Sequence, residues 1–208
     1  MDKIIEELIG NWQKRNIPGL RCVDKEQATE RILADIPVDC SIGFSGSLTL
    51  EQLGIIRRLE SRGNQVFNPY KPGISSPESL KLRRQGAVSE YYLCSPNAIS
   101  ASGELVFLSA YGNRTAGISY AQHVIAVAGV NKIAPDLAQA LKRAREYAAP
   151  LNCKRLNYNT PCFSDGICRK EICFAPEYKR MCCQVLVIEA EIAPDRLKVI
   201  LVGENLGF

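Results

Sequence analysis

A single histidine, His123, one tryptophan and two methionines are all that 208 residues hold of those types. With one imidazole there is no HxxxH zinc pair, and a Ser-His-Asp or Cys-His catalytic arrangement has little to build on. His123 opens an apolar strand and reads as structural. No GxGxxG occurs, and no glycine-rich loop runs into GKS or GKT, which excludes the dinucleotide and Walker fingerprints. Paired-carboxylate and EF-hand patterns, internal repeats, low-complexity tracts and interdomain linkers are likewise missing. Apolar runs stop well short of the roughly eighteen residues a membrane-spanning helix needs, so no membrane partner is expected. The opening MDKIIEELIGNWQKRN mixes acids and bases through its apolar positions, unlike a secretory signal, and a cytoplasmic location is the expectation.

Cysteine is the type in excess. There are nine, and six of them (Cys153, Cys162, Cys168, Cys173, Cys182, Cys183) crowd into the stretch from 153 to 183. No two form a CxxC, so neither a zinc ribbon nor a ferredoxin run is matched. In a reducing compartment disulfides are rare, and clustered thiols point to metal or redox use. Cys162, Cys168, Cys173 and Cys182 could hold zinc tetrahedrally or an iron–sulfur cluster. Cys183 is the alternative to Cys182, because adjacent side chains point different ways. Reduced, partly buried thiols, or a disulfide formed in air, stay open as the plainer alternatives. Cys22, Cys40 and Cys94 read as packing.

Apolar residues make up 46% of the chain and charged ones 23%, as in ordinary globular proteins, and its length suffices for one sizeable core. The net charge of +4 is spread over short clusters such as Arg57-Arg58 and Lys142-Arg143, which read as solvated helix faces. A mildly positive surface suits small anionic metabolites, and no nucleic-acid motif accompanies it.

Strand and helix signals take turns along the chain. Helical spacing runs from Ile4 to Trp12, from Asp24 to Ile36, from Thr49 (capping, with Gln52 as partner) to Gly63, over Glu78 to Gln85, and from Pro135 to about Tyr147. Strands are expected at Leu20–Val23, Cys40–Phe44, Gln65–Phe67, Tyr91–Cys94, Leu105–Leu108, His123–Ala128, Gln184–Ile192 and Leu197–Val202. Such alternation argues for an α/β sheet covered by helices on both faces. The expectation is one domain over residues 1–208, with residues 150–183 as a cysteine-rich segment of little periodicity inside it.

Two groups of turns carry candidate chemistry. In GFSGSLTLEQLG a strand runs through Ser45, Gly46 and Ser47 to Thr49 at a helix start, where outward N–H groups and hydroxyls would receive an anion. A tight, well-capped turn is the bland alternative. In SPNAISASGELV, YGNRTAG and VAGVNKI, Asn97 follows a strand, Asn113 and Arg114 lie in a turn, and Asn131 and Lys132 follow the His123–Ala128 strand. In open α/β sheets ligands sit beyond the carboxyl ends of strands, and Arg114 and Lys132 would there meet a carboxylate or phosphate. Glu104 is the one candidate nucleophile or base, although a lone glutamate at a strand start is usually exposed.

Taken together, GFSGSLTLEQLG, SPNAISASGELV, YGNR, VAGVNKIAPDL, AAPLNCKRL, TPC with its trailing cysteines, and VILVGENLGF resemble the LUD domain. This is the lactate-utilisation family that includes the LutC-like proteins, and the resemblance covers nearly the whole chain. It implies a three-layer α/β/α fold like that of glucosamine-6-phosphate isomerase, ribose-5-phosphate isomerase and the CoA transferases (NagB/RpiA/CoA transferase-like). In that superfamily a glycine-serine turn after an early strand holds phosphate or a CoA-type group, which would fall on Ser45 to Thr49 here. The resemblance further implies a place in lactate or organic-acid redox metabolism, beside iron–sulfur oxidoreductase subunits. An electron-transfer or assembly subunit holding zinc or an iron–sulfur cluster through its thiols is the other reading. The chain departs from the family pattern at Cys168–Cys173, where relatives tend to have a CxxC, and at Phe107–Ala110, where Asn-Ile-Asp-Gly is more usual.

Overall fold

Residues 2–168, 173 and 180–208 are described by the computed structural model. The chain begins with α1 (Asp2–Lys14), β1 (Gly19–Cys22), α2 (Lys25–Asp35), β2 (Ser41–Phe44), α3 (Leu48–Leu53), α4 (Ile55–Arg62) and β3 (Gln65–Val66). It continues through α5 (Ser76–Ala87), β4 (Tyr91–Cys94), β5 (Ala98–Ser100), β6 (Leu105–Ser109), α6 (Asn113–Tyr120) and β7 (His123–Gly129). After a 3₁₀ turn come β8 (Ile133–Ala134), α7 (Leu137–Arg143), a π-helical turn, α8 (Ala149–Arg155), β9 (Gln184–Ile188) and β10 (Leu197–Val202).

Six strands pair in the order β1-β10-β7-β4-β2-β3, every pair parallel. Successive side chains of a strand face opposite sides, so each interior strand supplies two cores. Val124, Ala126, Val199 and Leu201 face α1 and α6, whereas Ile125, Val127, Ile200 and Val202 face α2, α3 and α4. The result is a three-layer α/β/α arrangement. Trp12 of α1 is wholly buried in the first core, and its indole N–H donates to the carbonyl of Gly103 at 2.9 Å. Gly43 packs its backbone directly on Gly86 of α5: a Cβ there would lie 1.9 Å from the Gly86 carbonyl oxygen.

A second, four-stranded sheet, ordered β8-β5-β6-β9, lies against the α1 side. Its inner face contributes Ile99, Leu105 and Phe107 to the α1 core, and its outer face packs Ala98, Val106 and Leu108 under α7 and α8. Strand–helix alternation gave no warning of this sheet, because β5 and β8 are too short to show a period.

Four local expectations need correction. Ser47, not Thr49, caps α3, its hydroxyl accepting from the Leu50 N–H. The helix expected to run to Gly63 breaks at Gly54, which adopts a left-handed φ of 63° and separates α3 from α4. Asn113 and Arg114 open helix α6 rather than lying in a turn. Finally, the helix after Asp136 does not stop near Tyr147. Pro150 cannot donate to the ladder, and the widened π turn at Ala144–Ala148 absorbs that break, so helix continues to Arg155 and carries Cys153.

Candidate functional site

Because β2, β4 and β7 are parallel neighbours, they end at the same rim. β2 exits into Ser45-Gly46-Ser47, β4 into Ser95-Pro96-Asn97, and β7 into Val130-Asn131-Lys132. The segment after β10 closes over them, with the Leu206 N–H donating to Asn131 Oδ1 at 3.0 Å and the Gly207 N–H to Gln52 Oε1 at 2.7 Å.

Lys132 is the centre of this rim. It is buried, and its Nζ donates to Ser95 Oγ (2.7 Å), Thr49 Oγ1 (2.9 Å) and the Pro96 carbonyl (3.1 Å), all neutral acceptors. Burial, with Arg143 and Arg114 nearby, pushes its pKa down to about 7. Arg114 donates to the Gly46 carbonyl at 2.7 Å, to the Leu108 carbonyl at 2.9 Å and to Asn97 Oδ1 at 3.1 Å. Arg143 donates to the carbonyls of Asn97 and Asn131 at 2.6 and 2.9 Å. Among the described residues, none of these three cations forms an ion pair with a carboxylate. A cavity of about 40 Å³ lies between Gly46, Ser47, Thr49, Asn97, Arg114 and Lys132, roughly three water-sized volumes.

Next to it, and sharing Gly46, Arg114 and Asn152, is a larger cavity of about 480 Å³. Arg83 reaches it between two tyrosines, 5.3 Å from the Tyr70 ring centroid and 5.1 Å from that of Tyr111. Arg155 lines it too, paired with Glu51 at 2.9 Å. Ser45 lines the same space, and its hydroxyl, buried, has no hydrogen-bond partner among the described residues. A buried polar group left in that state costs about 1–3 kcal/mol.

The residues singled out in the sequence thus divide. Gly46, Ser47, Thr49, Asn97, Arg114 and Lys132 meet at the small cavity, and Ser45 and Asn113 line the large one. The backbone donors expected at the serine turn are partly spent, since the Ser45 N–H goes to the Leu93 carbonyl and the Gly46 N–H to the Tyr70 hydroxyl. Asn131 turns away to hold the segment after β10. Glu104 lies beyond the opposite end of β5 from Asn97 and lines neither cavity. Burial would raise its pKa, but the hydroxyls of Ser100 and Ser102, its own N–H and Arg15 at 2.7 Å outweigh that and hold it at about 2. Such a carboxylate is spent on fastening α1 to the β5–β6 turn. Ser95, Tyr70, Arg83 and Arg143 were not foreseen, although Ser95 stands beside Asn97 in the SPN turn.

Cys162, Cys168, Cys173 and Cys182 do share one small space, and Cys153 of α8 joins them. Cys182 packs under α7 and α8, while Cys183 is exposed and outside that space. Burial pushes the Cys153 thiol up to about 12, against the pull of the Thr160 hydroxyl. Thr160 Oγ1 and Cys162 Sγ share a hydrogen bond of 3.2 Å. Among the described residues, no three cysteine, histidine or carboxylate side chains already stand as a metal-binding group.

The family model of the LUD domain matches residues 5–202. Among solved structures the chain is similar to a DUF162 family protein from Deinococcus radiodurans, at 10% identity and a TM-score of 0.55, over 97% of this chain and 98% of that one. It also matches eIF2B delta from Chaetomium thermophilum at 16% identity and a TM-score of 0.35, over 69% of this chain and 57% of the other, too loosely to carry an argument. No curated protein matches.

Proposed function

The chain belongs to the LUD domain family, and from that premise we propose that it binds a small anionic metabolite at the rim formed by Ser47, Thr49, Asn97, Arg114 and Lys132. The anionic end, a carboxylate or a phosphate of CoA type, lies in the small cavity, and the rest of the ligand extends into the large one. Lys132 supports this most directly. A buried ammonium surrounded by neutral acceptors, with Arg114 and Arg143 close and no carboxylate paired to it among the described residues, lacks a negative charge. The unsatisfied Ser45 hydroxyl is a second support, since a polar ligand atom in the large cavity would complete it. A space of about 480 Å³ falls within the range of small-molecule sites.

Family membership makes lactate-linked organic-acid redox metabolism the setting we favour, in the cytoplasm and beside iron–sulfur oxidoreductase subunits. No described helix is long and apolar enough to cross a membrane. A thermal-shift panel of hydroxy acids, sugar phosphates and CoA esters tests the binding. At least one class should stabilise the protein, and Arg114→Ala should weaken it at least about tenfold, roughly 1.4 kcal/mol. Silence across the panel, or binding that ignores Arg114→Ala, would count against the proposal.

A further inference from the structure

The thiols that the anion site leaves unused occupy a cavity of their own. Cys153, Cys162, Cys168, Cys173 and Cys182 line about 20 Å³, room for one ion or water, together with Arg145, Arg180 and Met181. Three of the five, Cys153, Cys162 and Cys173, are buried. Cys153 is held on α8, and Cys162 shares a hydrogen bond with Thr160. Among the described residues no carboxylate lines the cavity, whereas two guanidinium groups do.

We propose that this cavity is a site for a single thiophilic divalent ion, with Cys153, Cys162 and Cys173 as three ligands and Cys168 or Cys182 as the fourth. The donor set fits a soft metal, because thiolate sulfur is the ligand such ions prefer, and a single ion matches the volume. Four thiolates around a divalent cation carry a net charge of −2, and the guanidinium groups of Arg145 and Arg180 line the same cavity. On binding, each ligating thiol gives up its proton to solvent, so four protons are released per ion taken up and no oxidant or reductant is consumed. Among the described residues the thiols do not already stand as a metal-binding group, so ligation requires their side chains to reorient.

The position of this site gives it a consequence for the other one. α8 presents Asn152 and Arg155 to the large ligand cavity and Cys153 to the thiol cavity, and Met181 lines both. An ion held by Cys153 fixes the wall that the ligand touches.

The test is the whole chain purified without oxygen or chelator, with metals measured directly. About one equivalent of zinc per chain is expected, and cobalt(II) titrated into the reduced, metal-stripped protein should give the thiolate-to-metal absorption of a tetrahedral site. Cys153→Ser and Cys162→Ser should each cut metal content at least tenfold, whereas Cys183→Ser and Cys22→Ser should leave it unchanged. Should a single variant fail to fold, cobalt titration of the unaltered chain still decides, with proton release as an independent readout. Iron with acid-labile sulfide in place of zinc would overturn the single-ion site. So would metal-free protein that gives no cobalt–thiolate bands, or loading that survives Cys153→Ser.

Discussion

Burying an ammonium among hydroxyls and a carbonyl makes Lys132 sensitive to pH. Its folded pKa of about 7 lies below the ordinary lysine value of 10.5. Below about pH 7 both folded and unfolded chains carry the proton, and the cost of the buried charge is fully present. Between there and the unfolded pKa the unfolded chain binds a proton that the folded one does not, so stability rises with pH. Lys132→Met should remove that rise in urea unfolding followed from about pH 6 to pH 10. A bound anion works in the opposite direction by favouring the charged form. Affinity should therefore fall as pH climbs past 7, by up to about tenfold per unit, with proton uptake on binding in calorimetry. Flat affinity across that range would remove Lys132 from the site. At this scale the turn signals of Ser45 to Thr49 and the basic residues Arg114 and Lys132 could be read directly, and the structure places them along one rim. Nothing in the sequence signals that the Glu104 carboxylate is paired with Arg15, a residue distant along the chain.

Among the elements, β2 and α5 approach each other closely. Gly43 and Gly86 meet backbone to backbone, and that approach sets how closely α5 covers the sheet beside the serine turn. Gly43→Ala places a methyl against a carbonyl that cannot move without shifting the helix, so it should destabilise by about 3 kcal/mol, the upper end of the overpacking range. Urea unfolding should show a lower midpoint at unchanged slope. The regular elements were mostly legible, because the apolar runs of β7 and β10 and the Asp24 cap of α2 are local signals. α8 was not. Pro150 normally marks a helix start, and only packing of Ala144 and Ala149 against the second sheet carries the helix across it.

For the molecule as a whole, Arg114 joins the two sheets. One guanidinium reaches the Gly46 carbonyl beyond β2 of the first sheet and the Leu108 carbonyl on β6 of the second. Arg114→Lys keeps the charge but loses the fork. Thermal unfolding should come earlier, and ligand affinity should drop nearly as far as in Arg114→Ala; full retention of both would show that the charge alone suffices.

By itself the sequence determined the alternating α/β framework, most of its turns and the polar residues those turns carry. Periodicity, capping and glycine conformation are energies between near neighbours in the chain, and they are written in adjacent letters. Tertiary structure alone decided that the serine turn, Asn97, Arg114 and Lys132 share one rim, that Asn131 and Glu104 serve elsewhere, and that Cys153 joins the other thiols. Those outcomes rest on burial and packing between segments far apart in sequence, where the free energy belongs to the assembled layers and to no single stretch.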